Sequence, residues 1–249
     1  MGASPLIDEI YRTRVVRDAA GNEYPLAGEI DPAEGDYLYR LIVSDESITK
    51  TLEVGCAFGL SSLHICEALR HRPGASHTIV DPMQLDTWHG VGTAQLERAG
   101  IDFVALIADG SELALPDLLR SGAQFDFIFI DGWHTFDHTM LDLFYANRLV
   151  RVGGYVVVDD CNWPAVAAAV SYFSNYPAYE SVRTPELAAP TWRQRMAAAI
   201  RTALPPRAAL AVLPASVYGR LYRRVRHPSV VALRKVTDDD RSWTWFENF

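Results

Sequence analysis

Leu52–Ser62 reads LEVGCAFGLSS. A short apolar run, Thr51–Val54, gives way to Gly55 and Gly59, and Ser61 and Ser62 then head a second apolar stretch. The order is that of a strand, a glycine turn and a helix N-terminus. Glycines permit a tight turn and let a ligand come close to the backbone. The free N–H groups at the head of the helix, with its dipole, favour a carboxylate or phosphate. The spacing is E-x-G-x-x-x-G from Glu53, so the G-x-G-x-x-G fingerprint of the nucleotide dehydrogenases is missing.

Outward from this turn, short apolar runs alternate with helical patterns. Strands are expected at Thr51–Val54, His77–Val80, Phe103–Ile107, Phe125–Ile130 and Tyr155–Val158. Helices are expected around 60–70, 90–99, 112–120 and 136–150. Such alternation predicts an α/β fold, a parallel sheet covered on both faces. Ahead of it, Asp31, Pro32 and Glu34 read as the N-cap, first turn and N3 of a helix with a capping box. Residues 1–30 read as an N-terminal arm with a turn at Ala20–Asn22. A helix at 164–174 and a final strand pair, Tyr179–Val182 and Ser229–Val236, complete the pattern.

Each of the first five strands ends in, or just before, an acid: Glu53, Asp81, Asp109, Asp131 and Asp159. In a parallel sheet these ends share one edge, where open α/β sheets bind ligands. One acid at a strand end is usually a turn residue or a helix cap; five in succession are harder to explain that way. Asp81 suits ribose hydroxyls, and Asp109-Gly110-Ser111 closes the third strand.

The chain has 249 residues, enough for one large α/β domain, and a net charge of −8 that argues against general nucleic-acid affinity. Three scattered cysteines make neither a disulfide framework nor a zinc site, and a cytoplasmic protein is expected. No stretch is apolar enough for stable membrane insertion. The charge is uneven: between Ser181 and His227 nine arginines face one acid, Glu186. With its prolines, this stretch of about 183–227 reads as an Arg-rich insert before the last strand of a single domain, 1–249. Three roles suit it: a solvated lid or oligomer contact, a cover for an acidic substrate, or a docking element for an anionic membrane.

On "LEVGCAFG", "IVDP" and "ADGSE" the sequence resembles the class I S-adenosylmethionine-dependent methyltransferases. Within them it is most similar to the metal-dependent O-methyltransferases of the catechol, caffeoyl-CoA and macrocin-type sugar groups, over roughly residues 30 to 175. The resemblance implies a Rossmann-like seven-stranded sheet and a methyl donor held by Glu53, Gly55, Ala57, Gly59, Ser61, Asp81, Asp109, Gly110, Ser111 and Asp131. It implies a divalent cation on Asp131, Asp159 and Asp160, with Asn162 in reserve. Hard oxygen ligands suit Mg²⁺, with Mn²⁺ or Ca²⁺ as alternatives. In "FIFIDGWHTFDH", Phe127–His138, the resemblance makes His134 the general base and sets Trp133 beside the methyl-transfer site; capping the following helix is the plainer role for His134. The chain departs from the catechol group at His134, where that group has lysine, and at Asp160, where it has asparagine; both tilt the acceptor toward a sugar or polyketide hydroxyl. The activity implied is O-methylation of a small-molecule hydroxyl, by a chain expected to pair as a homodimer. Metal-independent N- or carboxyl-methylation, and a cofactor-binding module without catalysis, are the competing readings.

Overall fold

The structure, a computed structural model, describes residues 4–184 and 229–247. Beyond Thr184 the Arg-rich insert lies outside the described residues. The central sheet holds β3 (Lys50–Val54), β4 (Ser76–Val80), β5 (Val104–Ile107), β6 (Phe125–Ile130), β7 (Val150–Val158), β8 (Tyr179–Val182) and β9 (Val231–Lys235). Their order is β5-β4-β3-β6-β7-β9-β8. The first five are parallel, and β9 is antiparallel to both its neighbours. All six residues of β6 are buried, as its near-continuous apolar run requires of a strand covered on both faces.

Two apolar clusters fill the two faces. One contains Leu38, Ile42, Leu63, Ile65, Phe127 and Phe129; the other contains Leu52, Ile128, Leu143, Val156, Val170 and Phe173. Alternate residues of β6 thus feed opposite layers. Helices α2 (Pro32–Ser44), α3 (Leu60–Leu69), α4 (Val91–Arg98), α5 (Ser111–Arg120), α6 (Phe136–Leu149) and α7 (Pro164–Phe173) supply the covers. The α2 capping box forms as expected: Asp31 Oδ1 accepts from Ala33 N at 2.8 Å, and Glu34 Oε2 accepts from Asp31 N at 2.9 Å.

Two elements differ from expectation. Strand β7 begins at Val150, five residues before the expected start. Gly153 and Gly154 interrupt the apolar run, and the pairing with β6 is irregular there, with Gly153 at φ +86°. The N-terminal arm also holds more structure than one turn: α1 (Pro5–Thr13), capped by Ser4, and a hairpin of β1 (Val15–Arg17) and β2 (Glu23–Pro25). The hairpin turn falls where expected, with Asp18 Oδ1 accepting from Ala20 N and Asn22 N at 2.9 and 2.8 Å.

Candidate functional site

Strand order reverses between β3 and β6, since β3 is followed in sequence by its other neighbour, β4. A crevice opens at such a point in an α/β sheet. Here Gly55 leaves β3 at φ +85°, and a Cβ on it would collide with the Asp131 carbonyl oxygen at the end of β6. Only glycine meets both demands. Gly59, at φ +84°, leaves room for Gly92 of α4 in the same way. Ala57 between them holds a left-handed φ of 46°.

Asp81 fixes this turn from the end of β4. Its Oδ2 accepts from Cys56 N at 3.1 Å and Ala57 N at 3.0 Å, and its Oδ1 accepts from Met83 N at 2.9 Å. Gln84 Nε2 donates to Ala57 O at 2.9 Å, bracing the turn again. Glu53 lies behind the turn and does not line the cavity. It is fully buried, accepts from the Ser62 hydroxyl, and sits 3.1 Å from His77 Nε2; His77 Nδ1 in turn meets Thr51 Oγ1 at 2.8 Å. Glu53 is therefore placed to orient the loop from its rear. Its partner His77 carried no motif in sequence, because only strand pairing brings it beside Glu53.

A cavity of about 350 Å³ lies over the turn. Gly55, Ala57, Ser61, Asp81, Ser111, Asp131, Trp133 and His134 line it, with Gly28, Glu29 and Ile30 of the arm and with Trp88. Asp109, Gly110 and Gly59 do not. Asp109 is exposed and its Oδ1 accepts from Gly110 N at 2.8 Å, so it holds the loop that delivers Ser111. The arm and Trp88 are contributions with no motif of their own. They reach the cavity through folding of the chain across the sheet edge.

At one end of the cavity, Asp131, His134 and Asp160 bring one ligand atom each within 4.8 Å of one another. His134 Nε2 is 2.9 Å from Asp160 Oδ2 and 3.5 Å from Asp131 Oδ1. The nitrogen is buried and poorly aligned for a hydrogen bond to either. Asp160 reaches it from a left-handed backbone, φ 51°, directly after β7. Two carboxylates beside the imidazole push its pKa up to about 10. Burial, then the nearby Asp160, push Asp131 up against the opposing pull of His134. Asp159, expected in the ion site, stands outside this trio. Its Oδ1 accepts from Asp160 N at 2.7 Å, and burial, Asp131 and Glu34 hold its pKa well above the usual carboxylate range. Asn162 is exposed. Trp163, also exposed, stacks on His134 with centroids 5.2 Å apart and planes at 27°.

The donor chemistry of Asp131 and Asp160 fits a divalent cation: two carboxylates that supply hard oxygen ligands, with the neighbouring acid Asp159 in the same field.

Residues 52–161 match the family described as "Methyltransferase domain". No curated protein sequence matches the chain. Among solved structures, an O-methyltransferase from Bacillus cereus in complex with S-adenosylhomocysteine is similar at 19% identity and TM-score 0.58, over 72% of this chain and 83% of that one. The O-methyltransferase TomG from Streptomyces achromogenes, involved in tomaymycin synthesis and in complex with S-adenosylmethionine, gives 24% and 0.53 over 63% and 75%. The methyltransferase PaMTH1 from Podospora anserina, bound to S-adenosylhomocysteine, gives 15% and 0.61 over 94% and 89%.

Proposed function

We propose that this chain is an S-adenosylmethionine-dependent methyltransferase that methylates a hydroxyl oxygen of a small molecule, with His134 as base beside a divalent cation. The meeting of Asp131, His134 and Asp160 at the end of the cavity carries this reading.

The Gly55–Gly59 turn and Ser61 at the head of α3 suit the amino-acid end of the methyl donor, where backbone N–H groups and the helix dipole meet its carboxylate. Asp81 suits the ribose and Ser111 the base. Asp131 and Asp160 hold the cation, with Asp159 behind them as a further oxygen. Bound there, a divalent cation lowers the pKa of the acceptor hydroxyl and fixes its oxygen for transfer.

His134 takes the proton at Nε2. Flanked by bare carboxylates its imidazole keeps that proton far above neutral pH; with the acids' charge met, a histidine returns toward its ordinary value of about 6.5, suited to a base. Trp163 stacks on the imidazole and holds its plane, while Trp133 lines the cavity beside it. A sugar or polyketide hydroxyl is the acceptor favoured by a histidine base with an acid at position 160. The test is formation of S-adenosylhomocysteine with a panel of sugar, polyketide and phenolic acceptors. Turnover confined to amine or carboxylate acceptors would contradict the reading.

A further inference from the structure

The loop from Asp81 to Gly90 contributes Asp81, Met83 and Trp88 to the cavity wall. Trp88 packs edge-on against Phe58, with centroids 5.0 Å apart and planes at 74°, and its indole lies 3.9 Å from where a Cβ on Gly28 would stand. The next residue, His89, takes φ +53°, a left-handed conformation uncommon for a side chain other than glycine. Its ring stacks on Tyr24 of β2, with centroids 4.8 Å apart and planes at 17°. The Tyr24 hydroxyl donates to Asp18 Oδ2 at 3.1 Å, the same carboxylate that holds the hairpin turn. Gln95 Nε2 of α4 donates to Arg17 O at 2.7 Å, which ties the hairpin down on the far side of the loop.

Neither Tyr24 nor His89 lines the cavity. Their stack instead braces the backbone immediately after Trp88, beside the hydrogen bonds from Trp88 N to Met83 O at 3.1 Å and from Gly90 N to Gln84 O at 2.7 Å. We propose that the Tyr24–His89 stack is a latch that sets Trp88 against the nucleoside of the bound methyl donor, so that the N-terminal hairpin is a working part of the cofactor site. Tyr24 and His89 are then positioning residues for cofactor affinity, with no part in methyl transfer. The inference rests on the reading in which Asp81 marks the ribose end of the cavity.

The test is calorimetric titration of the full chain with S-adenosylhomocysteine. Loss of one ring of an aromatic pair should weaken binding about 3- to 10-fold in Tyr24→Ala and in His89→Gly. Tyr24→Phe keeps the stack and should bind like wild type. Glycine accepts the left-handed backbone at position 89 without strain, so His89→Gly separates the latch from a fold effect: its melting temperature should hold while its affinity falls. The double variant should lose no more than either single one, since both remove the same contact. Unchanged affinity in His89→Gly, or losses that add in the double variant, would overturn the latch. If wild type itself fails to bind S-adenosylhomocysteine, the cofactor reading falls first and the latch with it.

Discussion

At the scale of single residues, the site depends on positions where no other side chain fits. Gly55→Ala adds a Cβ against the Asp131 carbonyl and demands a left-handed φ from alanine. Backbone strain and overpacking together should cost on the order of 3 kcal/mol. A fall in melting temperature with loss of S-adenosylhomocysteine binding is the expected outcome; a variant as stable as wild type would show that the turn relaxes freely. His134 makes the opposite prediction. His134→Ala should cut turnover about 10²–10⁴-fold while calorimetry finds cofactor affinity nearly unchanged. Full turnover in that variant would remove His134 from the chemistry. Asp131 and His134 were legible in sequence because they lie three residues apart at a strand end. Glu53 was legible as a residue but not as a role: a motif acid looks the same whether it faces the ligand or, as here, His77 and Ser62.

Among the elements, α2 and α3 pack with His64 between them. Both ring nitrogens of His64 are buried without partners among the described residues, and a Cβ on Gly35 of α2 would strike the ring. Burial lowers its pKa from 6.5 to about 4. The folded state therefore binds fewer protons than the unfolded one across this window. His64 leaves stability intact above pH 6.5, erodes it as pH falls toward 4, and adds no further loss below that. The full loss is about 3 kcal/mol. Denaturant unfolding at pH 7 and pH 4.5 should show a smaller acid loss in His64→Leu than in wild type, the shared carboxylates cancelling in the comparison. Equal losses would mean that the ring finds a partner when protonated. The strands and α2–α7 were readable because short apolar runs alternate with helical patterns as a covered parallel sheet requires; of these helices α2 alone is marked by a side-chain cap. The start of β7 was not, since a glycine pair inside a strand and one in a turn are identical in sequence. Helix α1 was missed although Ser4-Pro5 is a sound helix start and Leu6, Ile7, Ile10 and Tyr11 fall at helical spacing on its buried side.

For the whole molecule, the five strand-end acids proved to have different positions. Asp81 and Asp131 line the cavity, Glu53 backs its turn, Asp109 holds a loop, and Asp159 sits beside the cluster formed by Asp131, His134 and Asp160. The common edge could be foreseen from a parallel sheet; the direction of each side chain could not. The arm over the cavity was out of reach of any motif, because contact between residues 28–30 and Trp88 depends on the path of the chain. With an acceptor in hand, EDTA should abolish turnover and Mg²⁺ restore it, and chelator-resistant turnover would argue for metal-independent transfer. The most direct measurement needs no acceptor: anomalous diffraction from crystals of the protein soaked with Mn²⁺ and S-adenosylhomocysteine. The account predicts one peak about 2.0–2.6 Å from carboxylate oxygens of both Asp131 and Asp160, beside the ligand in the cavity. A seated ligand with no peak between those two residues would contradict it.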